Sequence, residues 1–129
     1  MLKLFNCPTQ PNKKRTSVWL PKNMYRDIIS ILLQTGKSTR DFSSWISNSV
    51  INLEKDNNYQ DIVVEELLDR GGNISKPISL SVAANEALHI IKNTIIKKHF
   101  SFNADINSKI IRTAITQQLI KEEFFMKTT

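Results

Sequence analysis

Residues 13–23 read KKRTSVWLPKN. Behind two lysines, six residues alternate in character: Thr16, Val18 and Leu20 on one side, Arg15, Ser17 and Trp19 on the other. A period of two marks a strand with one buried face. Pro21 then stops the strand, and helical spacing follows. One short strand cannot stand alone: even a two-stranded ribbon needs a hydrophobic face packed on something else. The fold therefore turns on where the partner strand comes from.

The partner lies in the same chain, because the plan of the chain occurs twice. After Pro21, the apolar residues Met24, Ile28, Ile31 and Leu32 recur at helical spacing up to Gly36, a helix C-cap residue. Ser38-Thr39-Arg40-Asp41 reads as a capping box that opens a second helix. Its apolar face is Phe42, Trp45, Ile46, Val50 (or Ser49) and Leu53. From residue 76, Lys76-Pro77-Ile78-Ser79-Leu80-Ser81-Val82 alternates again. A helix with Leu88, Ile91 and Ile95 follows, ending near Lys98-His99. Asn103 is a candidate N-cap for a last helix carrying Ile106, Ile110, Ala114 and Ile115. Leu20 matches Val82 at an offset of 62, and Asp41–Ile46 matches Asp105–Ile110 at 64, so the second turn is expected to be about two residues longer.

This reading divides the chain into a basic arm (1–14), a first strand–helix–helix unit (15–56), an acidic and partly helical linker (57–75), a second unit (76–123) and a tail (124–129). The fold class expected is mainly α with one short two-stranded antiparallel ribbon. Glycines 71 and 72 end the linker helix, whose apolar residues Ile62, Val63, Leu67 and Leu68 should pack against the body.

Charge follows the same division. The net charge of +6 is split into +5 over residues 1–56, −3 over 57–75 and +4 over 76–129. Two basic blocks around an acidic spacer point to two similar elements facing a polyanion. The single cysteine, Cys7, allows no internal disulfide and fits a reducing, cytoplasmic setting. The apolar run at the start is too short for a signal peptide, and no stretch approaches the ~18 apolar residues of a membrane span.

Strand–Pro–helix–Gly–cap–helix, seen twice, resembles the ribbon–helix–helix (Arc/MetJ-like) superfamily. Within it, the chain is similar to tandem, TraY-type relaxosome accessory proteins. The resemblance covers roughly residues 15–56 and 76–122. It implies an intramolecular pseudo-dimer whose two strands pair over four interlocked helices, and a ribbon that enters the DNA major groove. The base-facing residues it implies are Arg15, Ser17, Trp19, Pro77, Ser79 and Ser81, with Thr16, Val18, Leu20, Ile78, Leu80 and Val82 inward. A one-residue slip would exchange these faces and bury Trp19.

Family ribbons often present bidentate donors, which separate base pairs in the major groove. This one offers a single Arg, three Ser, a Trp and a Pro. Arg15 can address guanine. Each serine can make one less discriminating bond, and Trp19 can pack on a thymine methyl or on sugar. Since the two halves differ, the target should be asymmetric. By the same resemblance the backbone is clamped where each second helix begins: at Ser38, Thr39 and Arg40 in the first unit, and at Phe102, Asn103 and Ala104 in the second. Lys13, Lys14, Lys22, Lys37 and Lys76 flank that face and would add salt-sensitive affinity. Lys97, Lys98, Lys109 and Arg112 are expected farther from it.

Catalysis is not expected. His89 and His99, ten residues apart with no cysteine nearby, do not fit a zinc pair, and no glycine loop cradles phosphate. Glu122 and Glu123 are expected to be solvated. No cofactor or metal is implied. The functions weighed are an accessory factor at a plasmid transfer origin, with a relaxase or other transfer proteins as partners, and a transcriptional repressor on the same fold. A third is a helical adaptor for an acidic protein. Such units often associate further on DNA.

Overall fold

A computed structural model describes residues 14–56, 74–98 and 106–128. These form two strands and four α-helices: β1 (Lys14–Leu20), α1 (Lys22–Gln34), α2 (Phe42–Lys55), β2 (Ile74–Leu80), α3 (Val82–Lys98) and α4 (Ile106–Thr128). β1 and β2 pair antiparallel as one two-stranded sheet. No helix among the described residues is long and apolar enough to cross a membrane.

The start of each first helix shows why the strands stop where they do. Pro21 is the N-cap residue of α1, and its carbonyl accepts the first helical bond from Tyr25 N–H at 3.2 Å. Ser81 holds the same place before α3: its carbonyl accepts from Asn85 N–H at 2.9 Å and its Oγ from Ala84 N–H at 3.2 Å. A serine spent as an N-cap cannot continue a strand. The second strand is therefore 74–80 rather than 76–82. Val82 opens a helix and is exposed, while half-buried Ile74 takes an inward place. Residues 74 and 75 belong to the strand, not to the linker. Strand starts (14, 74) and first-helix starts (22, 82) both differ by 60, while the second helices start at 42 and 106; the four extra residues lie in α3, which has 17 residues against 13 in α1, and not in the turn, where the extra length was expected.

The turn after α1 follows its sequence signals. Gly36 adopts φ +78°, with Gly36 N–H donating to Leu33 O at 3.2 Å and Lys37 N–H to Leu32 O at 2.8 Å, the Schellman pattern. Ser38 and Asp41 then form the expected capping box around a 3₁₀ turn at Thr39–Asp41: Ser38 N–H donates to Asp41 Oδ2 at 3.0 Å and Arg40 N–H to Ser38 Oγ at 3.3 Å. α4 continues through Thr128, past the boundary expected at 123, because KEEFFMKT contains neither Gly nor Pro.

Val18, Leu20, Ile78 and Leu80 lie under the ribbon and meet the predicted helix faces. Ile28, Ile31 and Leu32 of α1 are buried, as are all the expected apolar residues of α2, with both Ser49 and Val50 inside. α3 contributes Leu88, Ile91 and Ile95, and α4 contributes Ile106, Ile110, Ala114 and Ile115. A polar seam also joins α2 to α4. Trp45 Nε1–H donates to Glu122 Oε2 at 2.7 Å, Gln118 Nε2 to the same oxygen at 3.1 Å, and Asn52 Nδ2 to Gln118 Oε1 at 3.0 Å. Glu122, expected to be solvated, thus ties two helices together.

Candidate functional site

The ribbon register pairs Arg15 with Ser79, Ser17 with Pro77 and Trp19 with Ser75. In an antiparallel pair, side chains of directly opposed residues share a face. These six residues make the outer surface, and all are exposed except half-buried Ser79. Ser75 thus stands where Ser81 was expected, since Ser81 lies beyond the strand as a helix cap. Trp19 is 47% exposed, so the slipped register is not the one adopted: Val18 and Leu20 have the stronger demand for burial, and both reach 0%.

The free edges of the ribbon are held by helix side chains in a crossed arrangement. On the β2 edge, Ser79 N–H donates to Ser43 Oγ at 3.0 Å and Ser81 N–H to Ser47 Oγ at 3.1 Å, both from α2. On the β1 edge, Trp19 N–H donates to Ser108 Oγ at 3.2 Å, and Arg112 Nη1 donates to Trp19 O at 2.9 Å, both from α4. Each pair is spaced i, i+4, one helical turn. Because Trp19 and Ser79 direct their N–H groups outward, the outer-face residues occupy non-hydrogen-bonded pairs of the ladder. Pro77, which lacks an N–H, therefore costs the ladder nothing.

Arg112 is a residue that the sequence reading placed away from the ribbon, yet it is fully buried and touches it. Its signal was present: Ser108, Ile111, Arg112 and Ile115 share a helical face by spacing, inside the apolar run of α4.

The flanking basic residues divide. Lys22, Lys37 and Arg40 are exposed. Lys76 is cross-strand from buried Val18 on the inner face, and its Nζ lies 4.3 Å from the Tyr25 ring centroid. Tyr25 in turn meets Phe42 edge-on at 5.3 Å. Lys76 is thus engaged in a cation–π contact on α1 rather than displayed beside Arg15. Ser38, Thr39 and Arg40 sit together at the exposed start of α2. Lys13, Phe102, Asn103 and Ala104 lie outside the described residues, as do most of the N-terminal arm and linker; of Lys14 only the backbone is described.

Beside the β2 edge a polar cleft of about 320 Å³ opens between Arg40, Ser43, Ser44, Ser47 and Asn48 of the α2 region and Ser79 of the ribbon. Ser43 and Ser47 accept backbone N–H bonds there, which leaves each hydroxyl proton available to donate. With one guanidinium and no carboxylate in its lining, the cleft suits an anion. Because Ser79 also belongs to the outer face, cleft and ribbon adjoin.

Comparison of the chain with protein-family models, with curated proteins and with solved structures finds no match.

Proposed function

We propose that this protein binds double-stranded DNA by inserting the β1–β2 ribbon into the major groove, as a single-chain pseudo-dimer of the ribbon–helix–helix type. The observation that carries the reading is the pairing of residues 14–20 with 74–80 in one chain, with Arg15, Ser17 and Trp19 facing away from the core. A two-stranded ribbon is one of the few elements that the ~12 Å major groove admits. The pseudo-dimer rests on position. Ser17 and Pro77 are 60 residues apart, the same offset as the strand starts, and they oppose each other at the ribbon centre. That placement supports an approximate two-fold relating the halves, and so does one serine contact on each edge, Ser79 N–H to Ser43 of α2 and Trp19 N–H to Ser108 of α4.

Backbone affinity comes from the exposed Lys22, Lys37 and Arg40, with the serine-lined cleft, which Arg40 shares with Ser79 of the ribbon, accepting a phosphate. The net charge of +6 favours the same partner. The biological role proposed is that of a cytoplasmic accessory factor at a plasmid transfer origin, working with a relaxase, because a fused pseudo-dimer need not read a palindrome. The repressor role differs only in where the site lies, and footprinting beside a nick site or across a promoter separates the two.

The test of DNA binding is a gel shift with duplex over a salt series. The logarithm of the binding constant should fall linearly with the logarithm of salt concentration, with a slope of several units. Affinity indifferent to salt would replace this reading with the helical adaptor for an acidic protein.

A further inference from the structure

Trp19 is the one large apolar side chain on the outer face of the ribbon, and both its N–H and its carbonyl are held by α4 at the free edge. One of the two holders is a fully buried arginine. Burying a guanidinium is expensive, and an apolar side chain of similar volume often serves stability as well or better. Arg112 nevertheless directs Nη1 to the carbonyl of this residue, while Ser108, one turn earlier, takes the N–H. With both backbone groups tied, the strand cannot rotate at residue 19, and the indole is presented outward. Opposite it, Ser75 is small and leaves room for a base edge.

Resting on the DNA reading, we propose that Trp19 is a specificity-determining residue for a C5-methyl pyrimidine, thymine in ordinary DNA, with Arg112 and Ser108 as its positioning residues. The C5-methyl of thymine is the apolar group that base pairs offer in the major groove, and an indole face matches it. Arg15, four residues earlier on the same strand, offers the donor fork that suits guanine O6 and N7. Four residues of strand span about 13 Å, near four base-pair steps of about 3.4 Å. The preferred site is therefore directional: a guanine at the Arg15 end and a thymine about four base pairs away at the Trp19 end.

The test begins with selection of bound sequences from random duplexes by the full chain, followed by replacement of each thymine of the selected site with uracil, one at a time. That change removes a methyl group and nothing else. Wild type is expected to lose about fourfold in affinity at one thymine, the value of one buried methyl-sized group. Trp19→Ala, at an exposed position, should bind thymine and uracil duplexes equally. Arg112→Met and Ser108→Ala should lower the thymine preference with the salt slope unchanged, a pattern that general loss of structure does not produce. If wild type binds its selected duplex but no thymine-to-uracil change matters, or Trp19→Ala keeps the preference, the assignment of Trp19 is overturned and the DNA reading stands. Full preference in both Arg112→Met and Ser108→Ala overturns their positioning role alone. Wild type that binds no duplex overturns both the DNA reading and this assignment.

Discussion

The β2 edge depends on two hydroxyls, and removing them gives a graded prediction. Ser47 is 5% exposed and accepts Ser81 N–H at 3.1 Å; Ser43 is half-buried and accepts Ser79 N–H at 3.0 Å. A buried backbone N–H left without an acceptor costs about 1–3 kcal/mol. At Ser43 water can enter from the cleft, so Ser43→Ala should cost about 1 kcal/mol, the low end of that range. At Ser47 water has less access, and the bond also steadies Ser81 as the cap of α3, so Ser47→Ala should cost about 2 kcal/mol. For a chain of this size 2 kcal/mol corresponds to a fall in Tm of roughly 8 °C. Urea denaturation followed by far-UV circular dichroism should show a lower midpoint with an unchanged m-value. Ser44→Ala, at an exposed site on the same helix, is the control and should stay within about 0.5 kcal/mol of wild type. Ser47→Ala as stable as Ser44→Ala would refute the idea that α2 hydroxyls hold the ribbon.

Other outcomes follow from single contacts. Gly36→Ala should lose about 1 kcal/mol from the left-handed backbone alone, since nothing lies within 4 Å of an added Cβ; Gly36→Asn should lose less, as thermal melts can report. Glu122→Gln removes the charge from the acceptor of the 2.7 Å Trp45 bond and should destabilise by about 1 kcal/mol, with Glu122→Ala worse; a near-UV signal of Trp45 that does not change would count against the contact. Arg15→Ala should weaken binding to a selected duplex at least tenfold, and binding to unrelated duplex much less; equal losses in a competition gel shift would mean that Arg15 touches only phosphate.

Much of the architecture was legible in the sequence because its signals are local. Alternation in 15–20, the Pro21 stop, Gly36 at a positive φ and the Ser38–Asp41 box each act through the backbone within a few residues. The second strand was placed two residues late because Ile78-Ser79-Leu80-Ser81-Val82 keeps alternating past the point where Ser81 becomes a cap. Ser75 and Ser81 are the same residue type at the two ends of the alternation, six positions apart, and only the start of α3 says which one belongs to the outer face. Lys76 looked like a free cation by its neighbours in sequence, whereas its partner, Tyr25, is 51 positions away.

By itself, then, the chain order determined a mainly helical protein with two short amphipathic strands, and which face of each helix is buried, because apolar spacing answers to the burial of nearby side chains. Contacts between distant residues were decided by tertiary structure alone. The crossed serine bonds, the Trp45–Glu122 seam and the bond from Arg112 to the Trp19 carbonyl join residues 34 to 93 positions apart. A hydrogen bond of that range leaves no periodicity behind it: donor and acceptor meet only after the helices have packed and brought both to the ribbon edge.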